Sequence, residues 1–176
     1  SYNYRMTNLA YYGTEYSAKN TTSPFAITAG GIVYKKTEGA YEYLLLVRYD
    51  DMSYHLPKGT LHVDETIEHC ALREIQEETG AKTKLTAYLG AVTNQYTYKG
   101  NYYDKTTHYY AAECIELTAD MDAEHDAREW CSYDEAMTKL RRGVKQENRF
   151  LERCNDFLHE RYTNSIRSNN ESNLER

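Results

Sequence analysis

Leu56-Pro57-Lys58-Gly59-Thr60-Leu61-His62-Val63-Asp64-Glu65-Thr66-Ile67-Glu68-His69-Cys70-Ala71-Leu72-Arg73-Glu74-Ile75-Gln76-Glu77-Glu78-Thr79-Gly80 is the stretch around which the rest of the chain is arranged. Its second half, from Thr66 to Thr79, has a helical pattern. Thr66 or Asp64 can cap the start, Glu68 suits the positive end of the helix dipole, and Gly80 can close the far end in a left-handed conformation. Ile67, Ala71 and Ile75 form one apolar stripe at helical spacing. Glu74, Glu77 and Glu78 stand at i, i+3 and i+4 and are neighbours on the helix surface. Glu78 falls inside the stripe and Glu74 at its edge, where an ordinary solvated helix would carry no acid. Crowded carboxylates turned toward a core need compensation, and hard oxygen ligands suit Mg²⁺ or Mn²⁺. The competing reading is a surface helix with Arg73 and Glu77 as an i, i+4 pair. Upstream, Leu56 to Thr60 reads as a loop in which Gly59 permits close approach of a carbonyl to a metal. Lys58 offers a point charge for a phosphate.

The spacing resembles the Nudix box: Gly, five residues, Glu, seven residues, then Arg-Glu-aliphatic-any-Glu-Glu-any-Gly-aliphatic. Gly59, Glu65, Arg73, Glu74, Ile75, Glu77, Glu78 and Gly80 occupy the pattern, and only Ala81 departs from it, standing where a larger aliphatic residue is usual. That many fixed spacings set aside the surface-helix reading.

Composition narrows the class. The chain has 176 residues, 40% hydrophobic and 27% charged, which suits one globular domain with a full-sized core. A formal net charge of -6 argues against a general nucleic-acid binder but not against a nucleotide enzyme, because local cations can offset phosphate charge. Cys70, Cys114, Cys131 and Cys154 are far apart with no CxxC spacing, so packed free thiols in a reducing, cytoplasmic compartment are expected. The sequence predicts neither a signal peptide nor a membrane span.

In chain order, residues 1–24 form a polar, tyrosine-rich extension, for which packing is preferred over base stacking because cations are few. Phe25 to Tyr34 reads as a buried strand, Thr37 to Ala40 as a turn, and Tyr41 to Arg48 as a second strand. Lys84 to Tyr98 and Lys105 to Ile115 read as strands around a turn at Lys99-Gly100-Asn101. Trp130 to Ser132 is extended, and Ser132 or Asp134 caps a helix through Leu140. Phe150, Leu151, Cys154, Phe157 and Leu158 recur at helical spacing within a last helix from about Lys145 to Tyr162. Residues 25–162 therefore make one domain, and residues 163–176 a polar tail. Strands interleaved with helices give an α/β fold, an α/β/α sandwich around a mixed β-sheet, which the resemblance implies as well.

Within that family the chain looks most like the asymmetric diadenosine tetraphosphate (Ap4A) hydrolases. The likeness rests on Glu42 to Gly59, on Lys105-Thr106-Thr107-His108-Tyr109-Tyr110, and on Glu124-His125-Asp126-Ala127-Arg128-Glu129-Trp130 followed by Tyr133-Asp134-Glu135-Ala136. The resemblance implies that Glu74, Glu77 and Glu78, with the Gly59 carbonyl, bind two or three Mg²⁺ (or Mn²⁺) ions, which bridge phosphates and acidify a bound water. It implies that Lys58 or Lys105 steadies phosphate charge, that Arg73 orients a metal-binding glutamate, and that Glu65 pairs with Arg73 or fixes the loop. Either Glu74 or Glu78 takes the water's proton. Glu124 resembles a subfamily acid that assists a metal or water; read from the residues alone it is equally a loop acid among Asp120, Asp122 and Asp126. Tyr96 or Tyr98 lies where the subfamily holds adenine. Tyr109 and Tyr110 alternate faces, so at most one, with Tyr110 as the candidate, meets a ligand. His108 and His125 are phosphate contacts or ordinary packed histidines.

The expected reaction is hydrolysis of Ap4A to ATP and AMP, with a small-molecule nucleotide as partner. Rival substrates are RNA 5′ ends, diphosphoinositol polyphosphates and simple NTPs, and the acidic charge counts against the first two. A non-catalytic nucleotide sensor is the rival from another class, and the intact set of acids counts against it. Oligomeric state is not legible.

Overall fold

Strand β1 (Phe25–Thr37) and strand β2 (Ala40–Arg48) form the expected hairpin. The chain turns at Glu38 and Gly39, both at positive φ (51° and 83°), the handedness that matches the twist of the flanking strands. The computed structural model describes residues 25–141 and 147–160. The expected N-terminal extension and polar tail lie outside these residues.

After β2 come two short strands that the sequence reading missed, β3 (Ser53–His55) and β4 (Lys58–Thr60). The segment read as a loop is thus partly a strand, pairing antiparallel with β1 through Thr28↔Thr60, Ala29↔Gly59 and Gly30↔Lys58. Helix α1 (Ile67–Thr79) follows. Then β5 (Ala81–Tyr98) and β6 (Asn101–Leu117) form a long hairpin, and β7 (Ala127–Cys131) leads into helix α2 (Tyr133–Arg141). Residues 148–160 form helix α3.

Among the described residues the strands make one sheet with the path β3-β2-β1-β6-β5, to which β4 joins at β1 and β7 at β2. The β1–β6 pair is parallel and the other pairs are antiparallel, so the sheet is mixed as expected. Alternation along the strands sorts the core into two layers. On one face, Ile27, Ala29, Tyr110, Val33, Leu44 and Ala112 pack against Ile67, Cys70, Ala71 and Ile75 of α1. On the other, Ile32, Tyr43, Leu45, Tyr109 and Ala111 pack against Ala136, Met137 and Leu140 of α2 and Phe150, Leu151, Cys154 and Leu158 of α3. This is the expected α/β/α sandwich. All four cysteines are free thiols, and burial pushes Cys70 and Cys154 up to about 12, far from a reactive thiolate. Among the described residues no helix is long and apolar enough to cross a membrane.

Candidate active site

Both ends of α1 are fixed by local chemistry. The Thr66 side chain accepts the His69 N–H at 3.1 Å, and Gly80, at φ 77°, donates its N–H to the Gln76 carbonyl at 2.8 Å. Gly80 also sits where a Cβ would come 2.2 Å from the Asp120 carbonyl oxygen, so its small size matters as much as its φ. With the ends set, Ile67, Ala71 and Ile75 point into the core and the acids take graded positions. Glu78 is 8% exposed and Glu77 presents a side chain that is 56% exposed, with Glu74 between them.

Arg73 organises this surface. Its Nε and Nη2 clasp both Glu65 oxygens at 2.7 and 2.9 Å, while Nη1 donates to Glu74 at 2.7 Å and Glu77 at 3.2 Å, and Nη2 reaches the Thr60 carbonyl at 3.0 Å. Arginine suits the role because its planar fork matches a carboxylate bidentately. Burial disfavours an ionised Glu65, yet Arg73, the His62 N–H and His69 more than offset it and hold that carboxyl at about 2. Glu65 thereby anchors Arg73 and ties down the approach to α1.

Glu74 lies directly over β4. A Cβ on Gly59 would come 2.1 Å from the Glu74 carboxyl carbon, so glycine is the residue that lets the helix acid rest on the strand. The Gly59 carbonyl accepts the Cys70 thiol at 3.4 Å, so a metal there would share or displace that contact. Burial raises Glu74, partly countered by Arg73. Glu78 is pushed up to about 8 by burial, with the charges of Glu74, Asp122 and Glu124 adding to it; the Lys58 N–H, donated to Glu78 Oε2 at 2.7 Å, works in the opposite direction.

The segment before β7 supplies further ligand atoms. One each from Glu78, Asp122, Glu124 and His125 lie within 4.8 Å of one another. The His125 side chain is 5% exposed and bonds Asp122 through Nδ1 at 3.3 Å. Glu124 was anticipated here. Asp122 was passed over as one of several loop acids, because nothing in local spacing shows that this segment folds back onto α1.

The remaining sequence candidates do not gather at these acids. Lys58 lies on the strand face opposite Gly59, and its Nζ is held by Glu147 at 3.1 Å and Tyr109 at 3.3 Å; a phosphate would have to displace the Glu147 carboxylate. Tyr110, expected to meet substrate, is 2% exposed in the α1-side core, while Tyr109 fills the other layer, stacked on Phe150 with ring centroids 4.3 Å apart. His108 is also buried and bonds the Tyr88 hydroxyl through Nδ1 at 2.8 Å, the packed reading rather than a phosphate contact. Lys105 pairs in register with Ala26 and Asn94, toward the outer half of the long hairpin. Tyr96 and Tyr98 stand farther out, exposed near the hairpin tip, with Tyr96 stacked on Tyr103. Counted along β5 from Ala91, which shares a register row with His108, Ala29 and Gly59, Tyr96 is displaced by roughly 17 Å.

The NUDIX domain model matches residues 24–154. The chain is a Nudix protein. This Nudix chain is 40% identical over 93 residues to an 8-oxo-(d)GTP phosphatase of Mycolicibacterium smegmatis, covering 53% of the chain and 27% of that relative. It is 31% identical over 108 residues to the asymmetrical bis(5′-nucleosyl)-tetraphosphatase of Rattus norvegicus, covering 60% and 74%. A crystal structure of a Caenorhabditis elegans Ap4A hydrolase binary complex superposes with a TM-score of 0.58 at 23% identity, covering 77% of this chain and 98% of the other, a likeness of fold. The Nudix chain spans between 27% and 55% of the length of the bacterial relatives it matches.

Proposed function

We propose that this Nudix domain hydrolyses a phosphoanhydride bond in a nucleoside or dinucleoside polyphosphate, with Ap4A, cleaved to ATP and AMP, as the preferred substrate. The observation that carries the reading is Glu78: a carboxyl buried to 8% exposure, pushed to about 8, and faced by further oxygen donors. Repelling carboxylates in a half-dry site suit a divalent cation, and their hard oxygens suit Mg²⁺ or Mn²⁺. The residues present fit such an ion. Glu78 and Glu74 would hold it, with Asp122 and Glu124 completing the donor set and Glu77 reaching in from the exposed side.

A bound divalent ion supplies charge neutralisation for the phosphates and a more acidic water. The chain's own residues do the rest. Arg73, anchored on Glu65, orients the Glu74 carboxylate, and the Lys58 N–H orients Glu78. Glu74 or Glu78 takes the proton of the attacking water. Water adds to an outer phosphorus of the tetraphosphate, and the bond to the bridging oxygen breaks to release AMP and ATP.

The likeness to a tetraphosphatase supports Ap4A, and that to an 8-oxo-(d)GTP phosphatase supports an oxidised nucleoside triphosphate as the second reading. Incubating the protein with Mg²⁺ and Ap4A, 8-oxo-dGTP, triphosphorylated RNA and a diphosphoinositol polyphosphate, then resolving products by chromatography, separates them. ATP and AMP appearing with the highest kcat/KM supports the proposal. Dominant pyrophosphate release from 8-oxo-dGTP or RNA overturns the choice of substrate, and unchanged turnover by Glu78→Gln overturns catalysis at this site.

A further inference from the structure

Glu147 belongs to no motif in the sequence, yet it is 6% exposed at the foot of α3. A buried carboxylate is costly unless it is paired and hydrogen-bonded. Among the described residues, both hydrogen-bond partners of its carboxylate lie in the segment that leads to the acid helix. Oε2 accepts the Leu56 N–H at 3.0 Å, and Oε1 accepts Lys58 Nζ at 3.1 Å. From the other side, Glu78 Oε2 accepts the Lys58 backbone N–H at 2.7 Å.

The donors of this segment can be followed completely. Pro57 has no N–H, and its carbonyl accepts the Gly31 N–H at 3.2 Å. The two remaining backbone donors, on Leu56 and Lys58, end on Glu147 and Glu78 respectively. The segment has no slack against the sheet either, because a Cβ on Gly30 would come 1.9 Å from the Pro57 carbonyl oxygen. Leu56 and Lys58 are therefore gripped by a carboxylate from the α3 layer and a carboxylate from α1, with Pro57 between them held by β1.

We propose that Glu147 is a positioning residue: by holding the Leu56 N–H it fixes the backbone whose next donor, the Lys58 N–H, orients Glu78. This rests on the reading of Glu78 as a cation-binding acid. The alternative, that Glu147 merely neutralises Lys58, gives a different result once Lys58 is made neutral. In a Lys58→Met background, Glu147→Gln keeps an acceptor for the Leu56 N–H and Glu147→Leu does not; neither leaves a buried charge unpaired.

The measurements are the affinity for Mn²⁺ alone, from the free-ion paramagnetic resonance signal, and kcat and KM for Ap4A. Relative to Glu147→Gln in that background, Glu147→Leu is expected to weaken Mn²⁺ about fivefold and lower kcat about tenfold, with KM within about twofold. Equal behaviour of the Gln and Leu variants, or a change confined to KM, overturns the inference. Should the Leu variant not fold, wild-type protein decides: Mg²⁺ titration is expected to shift the Leu56 amide resonance together with that of Lys58, and a Leu56 amide that stays still overturns the link. A wild type that neither binds Mn²⁺ nor hydrolyses any nucleotide brings down the proposed function instead, so the two failures are distinct.

Discussion

Glu78 is set against its own charge. Its carboxyl titrates near 8 in the folded chain, against an ordinary value of 4.5. Between those values the native state keeps a proton that the unfolded chain has released, so stability falls as pH rises, at roughly 1.4 kcal/mol per pH unit for one such group. Metal-free protein is expected to lose melting temperature from about pH 5 to 8 in EDTA, and Glu78→Gln to flatten that loss. Parallel pH profiles for the two proteins would show that Glu78 ionises freely. Glu65 has the opposite sign: held at about 2, it contributes stability above the ordinary carboxylate range, and that contribution is lost as pH falls toward 2. Gly59 invites a purely steric test. In Gly59→Ala the new Cβ would come 2.1 Å from the Glu74 carboxyl carbon, which Arg73 pins, so Glu74 must move. A displacement near 1 Å at a reacting centre costs on the order of 100-fold in kcat/KM. The expected outcome is that loss, with a circular dichroism spectrum like that of wild type.

Helix α1 has firm ends, and its caps explain why the acids land where they do. Thr66→Ala removes the acceptor for the His69 N–H and is expected to cost about 1 kcal/mol in urea unfolding. Activity should fall far less than in Gly59→Ala, since the packed stripe still orients the helix. A stability unchanged within error would mean the cap contributes nothing. This helix was legible in the sequence from its caps to its stripe, because helical spacing is a local property and the Nudix pattern repeats it. Strand β4 was not. Lys58, Gly59 and Thr60 carry no alternation long enough to read, and their pairing is dictated by β1, some thirty residues earlier. Strand β5 was legible as a strand but not in its facing: register shifts at Lys82/Thr83, Leu85/Ala87 and Tyr88/Gly90 break any count along it, so spacing from the acid helix could not say where Tyr96 stands. Asp122 and Glu147 were invisible for the same reason, since each meets the site through tertiary folding and not through spacing.

At the scale of the whole molecule, the sandwich brings acids from two separate regions of sequence, α1 and the segment before β7, toward one edge of α1, in a chain whose formal net charge is already -6. Repulsion among them is carried by the rest of the fold: core burial keeps α1 in place, and the segment before β7 is tied down by the Thr118 N–H on the Gly80 carbonyl and the Asp126 N–H on the Val47 carbonyl. A cation that binds only the assembled site should return that energy. At a ligand concentration 100 times Kd, linkage gives about 2.7 kcal/mol, which for a domain of this size raises Tm by roughly 5–10 °C. Mg²⁺ or Mn²⁺ is therefore expected to raise Tm in a concentration-dependent way, whereas NaCl at matched ionic strength, which only screens exposed charges, should raise it much less. Glu78→Gln should lose most of the divalent-specific increment while melting in EDTA no lower than wild type. A Tm that responds equally to Na⁺ and Mg²⁺, or a variant that keeps the full increment, would mean that the acids are neutralised within the protein by Arg73 and its neighbours and that the cation lies elsewhere.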